Sequence, residues 1–537
     1  MEPKIAYFSM EYGLSEEMHA YAGGLGILAG DYLKGAKDIG IPMVGIGILW
    51  RHGYTTQLIG DSGWPRDHFP DFRYDFLEDT GARVTVQVQH RPVTVRVWRT
   101  THFGNAPLFL LDTNLPENEH VDRQITAHLY GGGLEERIAQ EIVLGIGGVR
   151  AMDALGIRPE IYHFNEGHAV LAGTELIRRQ IEKGRSFADA WGAVRRQVVF
   201  TTHTPVAAGN ESHPLEALFR LGANNGLGYE QMSAIGEDPF NMTIAGLRLS
   251  RMANAVSELH GHTARAMWAH VDGAAPITHV TNGVHPATWQ DPAVAAAETP
   301  EELWQAHQAA KRRLLSEIYA RTGTWMDPTT LLIGYGRRAA PYKRADLIFR
   351  HPHRIDPLIR EGRVNMVFSG KAHPNDEIGK GLVAHLVQKS REFPGHVVFL
   401  QNYDMRVGRL MTQGCDVWLN TPRRFLEASG TSGMKACMNG VPHLSVPDGW
   451  WPEAARHGEN GWVFGGGELG DVDEYDANQL YEVLTNEVLP TYYNDRPRWL
   501  SIMRGAIDST REPFSVHRMI RDYQARVYEP REVAVQV

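Results

Sequence analysis

Short apolar runs rich in β-branched and aromatic residues alternate along the first half of the chain with longer segments of helical periodicity. The runs have the length and composition of strands, and they lie at 4–10, 42–50, 108–112, 160–164, 198–203 and 277–281. Helices are predicted between them, including segments at 27–38, 135–155 and 246–268. A second series of predicted strands follows at 331–336, 364–370, 396–400 and 416–420. This alternation is typical of α/β domains with parallel sheets.

Four further segments interrupt or extend this pattern. Residues 83–89 and 92–98 alternate with period two around His-Arg-Pro, which predicts a hairpin. Residues 284–299 are rich in proline and alanine without periodicity, so we expect the chain to pass between domains there. A helix should begin after Thr299, because a cap residue, a proline and two acids follow in the preferred order. A last helix should begin at Ser515, with one apolar face formed by Val516, Met519, Ile520, Tyr523 and Val527.

The pattern as a whole predicts an α/β protein with two doubly wound, Rossmann-like domains facing a cleft. We expect an N-terminal α/β domain at 1–288, a C-terminal α/β domain at 289–510, and a C-terminal helix at 511–537 that packs on the body. The chain of 537 residues exceeds one ordinary core, which agrees with at least two domains.

Composition narrows the function classes. The formal net charge is −9 and no block rich in lysine or arginine occurs, which argues against a nucleic-acid surface. No apolar run approaches the roughly 18 residues of a membrane span, and the first residues read as a strand rather than a signal peptide. Only Cys415 and Cys437 are present. We therefore expect no disulfide framework, no membrane contact and a cytoplasmic location.

A glycine-rich turn, Ala22-Gly23-Gly24-Leu25-Gly26-Ile27, stands between the first predicted strand and the helix at 27–38. Such a turn can present backbone N–H groups and the positive end of a helix to a phosphate. It can equally be the tight turn of any α/β unit. Since neither Gly-x-Gly-x-x-Gly nor a Walker-type lysine is present, nucleotide binding is not favoured.

Four cations follow the predicted strand at 331–336, in Gly336-Arg337-Arg338-Ala339-Ala340-Pro341-Tyr342-Lys343-Arg344. Open α/β sheets bind ligands at the carboxyl ends of their strands, and both arginine and lysine suit phosphate oxygens. A site that holds two phosphate groups side by side needs about this much positive charge to offset their repulsion. The alternative is a solvated charged loop.

Polar residues follow three of the predicted strands, in Asn165-Glu166-Gly167-His168, Thr202-His203-Thr204-Pro205 and Thr281-Asn282-Gly283-Val284. We expect all three to point toward the same sheet edge. Their side chains offer both donors and acceptors, which sugar hydroxyls need. Each of these motifs, taken alone, is more often a structural turn or a hydrogen-bonded polar group of the core.

Residues 427–435, Glu-Ala-Ser-Gly-Thr-Ser-Gly-Met-Lys, are the most informative stretch of the chain. Small residues let the backbone approach an anion closely, and a helix beginning near Thr431 would direct its positive end toward it. The chemistry of these residues alone indicates an anion site with an amine, Lys435, nearby.

Several other features favour a structural explanation. His260 and His262 are two positions apart on a predicted helix, where their rings diverge, so we expect no metal site. Trp450 and Trp451 are expected in the core, and both cysteines are expected to be inert buried thiols.

The motifs together resemble the α-glucan phosphorylases, the family that acts on glycogen, starch and maltodextrin. The matching segments occur in family order: Phe8-Ser9-Met10-Glu11, Gly23-Gly24-Leu25-Gly26, the basic loop, Asn402-Tyr403-Asp404 and residues 427–435. The resemblance runs from about Ile5 to Trp462 and is closest to the short prokaryotic forms. It implies a GT-B glycosyltransferase-type fold and reversible phosphorolysis of α-1,4-glucan to glucose 1-phosphate with retained configuration.

The resemblance also implies a cofactor, pyridoxal 5′-phosphate, carried by Lys435 as a Schiff base, with the cofactor's 5′-phosphate exchanging a proton with the substrate phosphate. The residues implied to bind the cofactor are Lys435, Arg337, Thr431, Ser432 and Gly24, of which Arg337, Thr431 and Ser432 hold its phosphate. Those implied for the substrate phosphate are Arg338, Lys343 and the backbone N–H of Gly24. The residues implied to bind the glucosyl unit are His203, Asn282, Glu427, Ala428, Ser429 and Gly430. Arg337 stands where the family frequently has lysine, so the charge is kept.

Two rival functions remain open at this point. A nucleotide-sugar glucosyltransferase of the glycogen or starch synthase type shares the architecture and a similar glycine loop, but it usually shows Glu-x7-Glu. Here Lys435 stands eight positions after Glu427, and an amine can form an imine but cannot accept a ribose hydroxyl's hydrogen bond. The other rival is a non-catalytic glucan-binding homologue, which the joint presence of the lysine, the basic loop and the histidine disfavours.

Regulation and assembly are expected to be simple. Family members with long N-terminal extensions use them for effector sites, whereas this chain starts at the first predicted core strand. We therefore expect activity without phosphorylation or adenosine monophosphate, and no allosteric site. A homodimer is plausible from the resemblance.

Overall fold

The computed structural model describes residues 3–206 and 209–529. They form two compact units. The first contains the described residues up to Tyr54, then Phe69–Thr281 and the residues from Met519 onward, and the second contains Thr55–His68 and Asn282–Arg518. A short segment from the N-terminal part of the sequence therefore belongs to the second unit.

The elements are numbered along the chain. The strands are β1 (Ile5–Phe8), β2 (Met43–Ile48), β3 (Thr56–Ile59), β4 (Pro65–His68), β5 (Glu78–Val88), β6 (Arg91–Thr100), β7 (Leu108–Asp112), β8 (Ile161–Asn165), β9 (Val198–Thr201), β10 (Ser212–His213), β11 (Phe240–Asn241), β12 (Met252–Ala255), β13 (Ile277–His279), β14 (Leu331–Gly336), β15 (Val364–Ser369), β16 (Val397–Leu400), β17 (Val417–Asn420), β18 (His443–Ser445) and β19 (Gly461–Val463).

The helices are α1 (Gly24–Asp38), α2 (His120–Arg123), α3 (Leu134–Ile142), α4 (Gly148–Ala154), α5 (Leu171–Glu182), α6 (Phe187–Arg195), α7 (Leu215–Leu221), α8 (Tyr229–Gly236), α9 (Met242–Leu249), α10 (Glu258–Met267), α11 (Pro286–Trp289), α12 (Pro292–Ala296), α13 (Pro300–Thr322), α14 (Pro352–Arg360), α15 (Glu377–Glu392), α16 (Met405–Gly414), α17 (Ser432–Cys437), α18 (Trp451–Ala454), α19 (Val472–Val483), α20 (Leu489–Asn494), α21 (Arg496–Asp508) and α22 (Val516–Tyr523). Within the described part of the chain, no helix has the length and apolar character needed to cross a bilayer.

The first unit is built on a nine-stranded sheet in the order β13-β12-β9-β8-β1-β2-β7-β6-β5. All neighbours from β13 to β7 are parallel, and β7, β6 and β5 pair antiparallel. Strand order runs outward in opposite directions from β1 and β8, which makes this pair the topological switch point. Ligands of open α/β sheets bind at such a point, beyond the carboxyl ends of the strands.

The second unit is built on a six-stranded parallel sheet in the order β16-β15-β14-β17-β18-β19. Its core lies on both faces, because successive residues of β14 alternate between them: Leu331 and Ile333 join one apolar cluster and Leu332 joins another. A parallel sheet covered on both sides reads as a continuous apolar run in the sequence. The switch point of this sheet lies between β14 and β17.

The structure confirms every strand predicted in the two series, the hairpin of β5 and β6, and the capped start of α13, where Thr299 and Glu302 form a reciprocal capping box. The apolar face predicted for the last helix is buried in full, and α22 continues through a π-helical turn at Gln524–Tyr528. Residues 530–537 of that predicted segment lie outside the described residues.

One prediction of secondary structure was wrong. The helix predicted at 246–268 is interrupted by β12, whose alanine-rich sequence favours a helix by propensity but pairs with β9 and β13 inside the sheet. The segment at 284–299, where the chain is expected to pass between domains, contains the short helices α11 and α12, each beginning with a proline. The change from the first to the second unit falls between Thr281 and Asn282.

A buried ion cluster supports β14 at its amino end. The carboxylate of Asp416 accepts hydrogen bonds from the backbone N–H of Leu332 at 2.8 Å, from Lys311 Nζ at 2.5 Å and from His307 Nε2 at 2.8 Å. Asp416→Asn should lower the free energy of unfolding by about 3–5 kcal/mol, because buried Lys311 loses its counter-charge. Urea unfolding measures this free energy. The control is Asp327→Asn, at an exposed turn before the same strand, which should change the free energy of unfolding by less than about 1 kcal/mol.

The same cluster predicts that the protein loses stability at acid pH. Burial alone would raise the pKa of Asp416, but Lys311 and His307 outweigh it and hold that pKa below the ordinary value of 3.8. The stabilisation is therefore fully present above that pH and is lost as the pH falls below it. Equal unfolding midpoints for wild type and Asp416→Asn at neutral pH would contradict this account.

Candidate active site

Two buried side chains meet across the switch point of the second sheet. Arg337 directly follows β14, and Asn420 ends the neighbouring strand β17. One terminal nitrogen of Arg337 donates to Asn420 Oδ1, and the other donates to Glu427 Oε2 at 2.5 Å. The remaining nitrogen, Nε, is buried and has no hydrogen-bond partner in the described part of the chain. A charged donor with one unused N–H thus lies where this kind of sheet binds its ligands.

Glu427 joins this arginine to a second cation. Lys343 Nζ lies 3.1 Å from Glu427 Oε2. Burial opposes ionisation of Glu427, but the charges of Arg337 and Lys343 prevail and lower its pKa to about 2. Burial, followed by the charge of Arg337, lowers the pKa of Lys343 to about 7, against the opposite effect of Glu427. The carboxylate is therefore ionised, and the lysine can gain or lose its proton near neutral pH.

The four cations of the basic loop have different environments. Arg338 is exposed and makes no hydrogen bond to a described residue. Arg344 is buried, and its guanidinium donates to the Thr421 carbonyl and to the carboxylates of Asp473 and Asp476. By its position in the sequence Arg344 is one of four cations expected at a phosphate site, whereas in the structure it anchors the loop.

The segment at 427–435 forms the expected turn and helix. The helix α17 begins at Ser432, directly after Thr431, and Ser432 Oγ accepts a hydrogen bond from Trp418 Nε1 at 3.1 Å. Lys435 is buried on this helix with its Nζ 3.7 Å from the centre of the Trp289 ring. Residues 428 and 430–432 remain partly exposed. A partly exposed turn thus leads to a buried amine.

In the first unit, polar side chains form a chain of hydrogen bonds at the switch point. Asn165, which ends β8, donates to Ser9 Oγ at 3.2 Å, and its Oδ1 lies 2.6 Å from His203 Nε2. Glu166 Oε2 accepts from the backbone N–H of His203 at 2.7 Å. Burial lowers the pKa of His203 to about 3. The ring is therefore neutral, and Nε2 is the nitrogen that carries the proton.

The glycine-rich turn is held by a residue whose role the sequence analysis did not predict. Glu11 Oε2 accepts from the backbone N–H groups of Ala22 at 2.6 Å and Gly23 at 3.1 Å. A Cβ atom on Gly26 would lie 2.6 Å from the same oxygen, so the glycine makes room for the carboxylate. Gly24, which begins α1, faces open space. Two of the donors offered to an anion are thus engaged by Glu11, while Gly24 N–H has no partner among the described residues.

Asn282 belongs to the second unit and is almost fully buried. Its backbone carbonyl accepts a hydrogen bond from Arg518 at 3.0 Å. Its side-chain Oδ1 is buried without a hydrogen-bond partner among the described residues. A buried acceptor of this kind is available to a ligand hydroxyl.

A buried ionic cluster in the first unit was not singled out by the sequence. Donor atoms of Glu141, Glu211 and His213 all lie within 4.8 Å of one another. His213 Nε2 is 2.9 Å from Glu141 Oε2, and Arg137 Nε donates to Glu211 Oε1 at 2.9 Å. The carboxylates of buried Glu141 and partly exposed Glu211 thus each contact a basic side chain.

Comparison with known proteins decides the family. The chain is 39% identical to a maltodextrin phosphorylase of Thermococcus litoralis over 98% of its own length and 70% of that protein. The chain belongs to the carbohydrate phosphorylase family. The family model matches residues 290–487. Glycogen phosphorylases of Mycobacterium tuberculosis and Aquifex aeolicus are 38% and 35% identical over 98% of this chain, which covers 71% and 86% of their lengths.

Membership confirms the resemblance deduced from the motifs and the predicted fold class, two Rossmann-like α/β domains of the GT-B type. The matched range begins just after α11 and includes the basic loop, Glu427 and Lys435. The second unit therefore carries the part of the chain that the family model recognises.

Proposed function

We propose that this phosphorylase family member catalyses the reversible phosphorolysis of α-1,4-glucan. A phosphate oxygen replaces the 4-oxygen of the next sugar at the anomeric carbon of the terminal glucosyl unit. Glucose 1-phosphate forms with retained configuration, and the departing 4-oxygen takes up a proton. The observation that carries the proposal is the cation cluster of Arg337, Arg338 and Lys343 at the switch point, together with buried Lys435 on the adjoining α17.

Pyridoxal 5′-phosphate fits the residues of this site, with Lys435 as its covalent attachment. Its phosphate would be held by Arg337, Thr431 and Ser432. The buried Nε of Arg337 lacks a hydrogen-bond acceptor among the described residues, and Thr431 makes no side-chain cap bond to α17. An unsatisfied buried donor is costly, and a phosphate oxygen would satisfy it. The chemistry that the cofactor supplies when bound is a phosphate group able to donate and accept a proton.

The substrate phosphate would be bound by Arg338 and Lys343, with Gly24 donating its backbone N–H. Arg338 is exposed and has no hydrogen-bond acceptor in the described part of the chain, so an anion would displace no partner there. Lys343 can change its protonation state when phosphate binds, because its pKa is about 7 and an approaching phosphate would stabilise the protonated form. Each charge-assisted hydrogen bond of this kind contributes roughly 1.5–3 kcal/mol.

The glucosyl unit would be bound by His203, Asn282, Glu427, Ala428, Ser429 and Gly430. Because its pKa of about 3 keeps the His203 ring neutral, the ring would bind a hydroxyl rather than act as the base. The backbone carbonyl of His203 would face the positive charge that develops at the anomeric carbon. Oδ1 of Asn282, which has no hydrogen-bond partner among the described residues, would accept a hydrogen bond from a sugar hydroxyl.

The direct test incubates the purified protein with maltodextrin and inorganic phosphate and measures glucose 1-phosphate. We expect phosphate-dependent formation of glucose 1-phosphate in the α configuration, and the reverse elongation of maltodextrin from glucose 1-phosphate. Elongation from a nucleotide sugar without phosphate would instead establish the transferase, and glucan binding without turnover would establish the non-catalytic homologue.

Arg338→Ala should lower kcat/KM for phosphate by at least about tenfold, because one charge-assisted hydrogen bond to phosphate is lost. Initial rates at varied phosphate concentration measure the change. The matched control is Arg350→Ala, which removes an exposed arginine paired with Asp471 and Glu474 in the same unit. Unchanged phosphate kinetics in Arg338→Ala would remove Arg338 from this role.

A further inference from the structure

A buried aspartate after β18 is bonded to the backbone of the segment that carries Glu427. Asp448 is 1% exposed. Its Oδ2 accepts a hydrogen bond from the Glu427 N–H at 2.9 Å, and its Oδ1 accepts from the Gly449 N–H at 2.8 Å. The two carboxylate oxygens thus tie the turn after β18 to residue 427, which is 21 positions earlier in the chain.

The next two residues hold the same segment at Ser429. The backbone N–H of Trp450 donates to the Ser429 carbonyl at 3.0 Å. Gly449 adopts a left-handed conformation with φ of 59°, and a Cβ atom there would lie 2.1 Å from the Ser429 carbonyl oxygen. Only glycine can occupy this position without displacing the backbone of Ser429.

We infer that Asp448 is a positioning residue that fixes the backbone of residues 427–429 and, through it, the Glu427 carboxylate between Arg337 and Lys343. Glu427 is held from both ends: its N–H bonds to Asp448, and its carboxylate bonds to the two cations. Loss of the first bond removes the hydrogen bond to the backbone of Glu427 itself, so we expect residue 427 to rotate about the Ser429 contact and its carboxylate to shift against the two cations. The sequence does not reveal this role, because the hydrogen-bond partner of Asp448 lies 21 positions earlier in the chain.

Asp448→Asn tests the inference in a folded protein. Burial raises the pKa of Asp448 to about 7, so the fold tolerates an uncharged carboxyl, and asparagine is its uncharged isostere. The amide presents one N–H₂ group in place of an acceptor, so only one of the two backbone N–H groups keeps its bond. If this variant fails to fold, Asp448→Ser, which also keeps one acceptor, replaces it.

The first measurement is hydrogen exchange of peptides that cover 425–432, and it needs no activity. We expect exchange at least about tenfold faster in Asp448→Asn than in wild type. The matched control is Asp376→Asn, which makes the same change at the carboxylate that accepts from the Gly379 N–H at 2.8 Å in the same unit and should leave exchange in 425–432 unchanged. Unchanged exchange in Asp448→Asn would overturn the inference.

The second measurement rests on the proposed function and asks whether Asp448 acts through Glu427. Asp448→Asn should lower kcat/KM for maltodextrin at least about tenfold in wild type but less than about twofold in the Glu427→Gln background, since coupled residues are not additive. Equal losses in both backgrounds would overturn the link to Glu427. A wild type that forms no glucose 1-phosphate would overturn the proposed function, while hydrogen exchange would still decide the role of Asp448 in the backbone.

Discussion

Replacing Lys435 by arginine should abolish pyridoxal attachment and lower phosphorolysis by at least about a thousandfold. Arginine keeps the positive charge in the space beside Trp289, but it stays protonated and cannot form the covalent bond. The loss therefore reports the amine chemistry of Lys435 rather than its charge. Absorbance of the purified protein in the imine band measures attachment, and the rate of glucose 1-phosphate formation measures turnover.

Covalent labelling of the wild type tests the same assignment without activity. Borohydride reduction followed by peptide mass mapping should place the pyridoxyl group on Lys435. Two other lysines of the second unit could react, because burial lowers the pKa of Lys343 to about 7 and that of the partly exposed Lys371 to about 8. Lys371 donates to the Thr55 carbonyl at 2.9 Å, so Lys371→Arg is the matched control and should keep the chromophore. A label on either of these lysines would refute the assignment.

The fold was predictable where the sequence signal is local. Parallel strands buried on both faces read as continuous apolar runs, which is why β1 and β14 were found. The Thr55–His68 hairpin was not predicted, because its position depends on hydrogen bonds and an ion pair with residues that are distant in the sequence. Gln57 exchanges two hydrogen bonds with the backbone of Ala372, and Asp67 pairs with Lys380 at 2.9 Å. No periodicity within residues 55–68 indicates these partners.

The site was predictable in its residue types but not in its pairings. Open α/β sheets bind ligands beyond the carboxyl ends of strands, so polar residues after a predicted strand could be chosen as candidates. Which charge faces which depends on strand order, and a single sequence does not reveal that order. The Arg337 contact with Glu427 spans 90 residues, and the Arg344 contact with Asp476 spans 132. Arg344 was therefore counted with the ligand-binding cations, and Glu11 was noted only as part of a family motif.

Glu427→Gln should lower kcat/KM for phosphate by at least about a hundredfold at neutral pH. Two losses combine. Glutamine cannot balance the charge of Arg337, and Lys343 loses the anion that raises its pKa, so the lysine becomes neutral at a lower pH than in wild type. A neutral lysine cannot form the charge-assisted hydrogen bond to phosphate, which would contribute about 1.5–3 kcal/mol to binding. Glu427 is also proposed to accept a hydrogen bond from a glucosyl hydroxyl, and the variant weakens that bond as well.

The pH dependence separates the two losses. The ratio of the phosphate KM of the variant to that of wild type cancels the ionisation of phosphate itself. We expect this ratio to rise as the pH is raised toward about 7, where only the variant loses its Lys343 proton, and to level off above that pH, where wild type loses it too. The matched control is Glu317→Gln, which removes a carboxylate paired with Arg321 and Arg406 at the surface. Its phosphate KM ratio to wild type should stay near one at every pH.

Deoxy-glucosyl donors test the remaining loss. Removing the hydroxyl that Glu427 binds should slow wild type, but it should slow Glu427→Gln little further, because the partner is already weakened. Strict additivity of the two changes would show that Glu427 does not touch the sugar. A flat KM ratio across the pH range would show instead that Glu427 does not control Lys343. Because the carboxylate bonds to both cations in the structure, we expect both effects in one variant: a ratio that depends on pH and non-additivity with the deoxy donor.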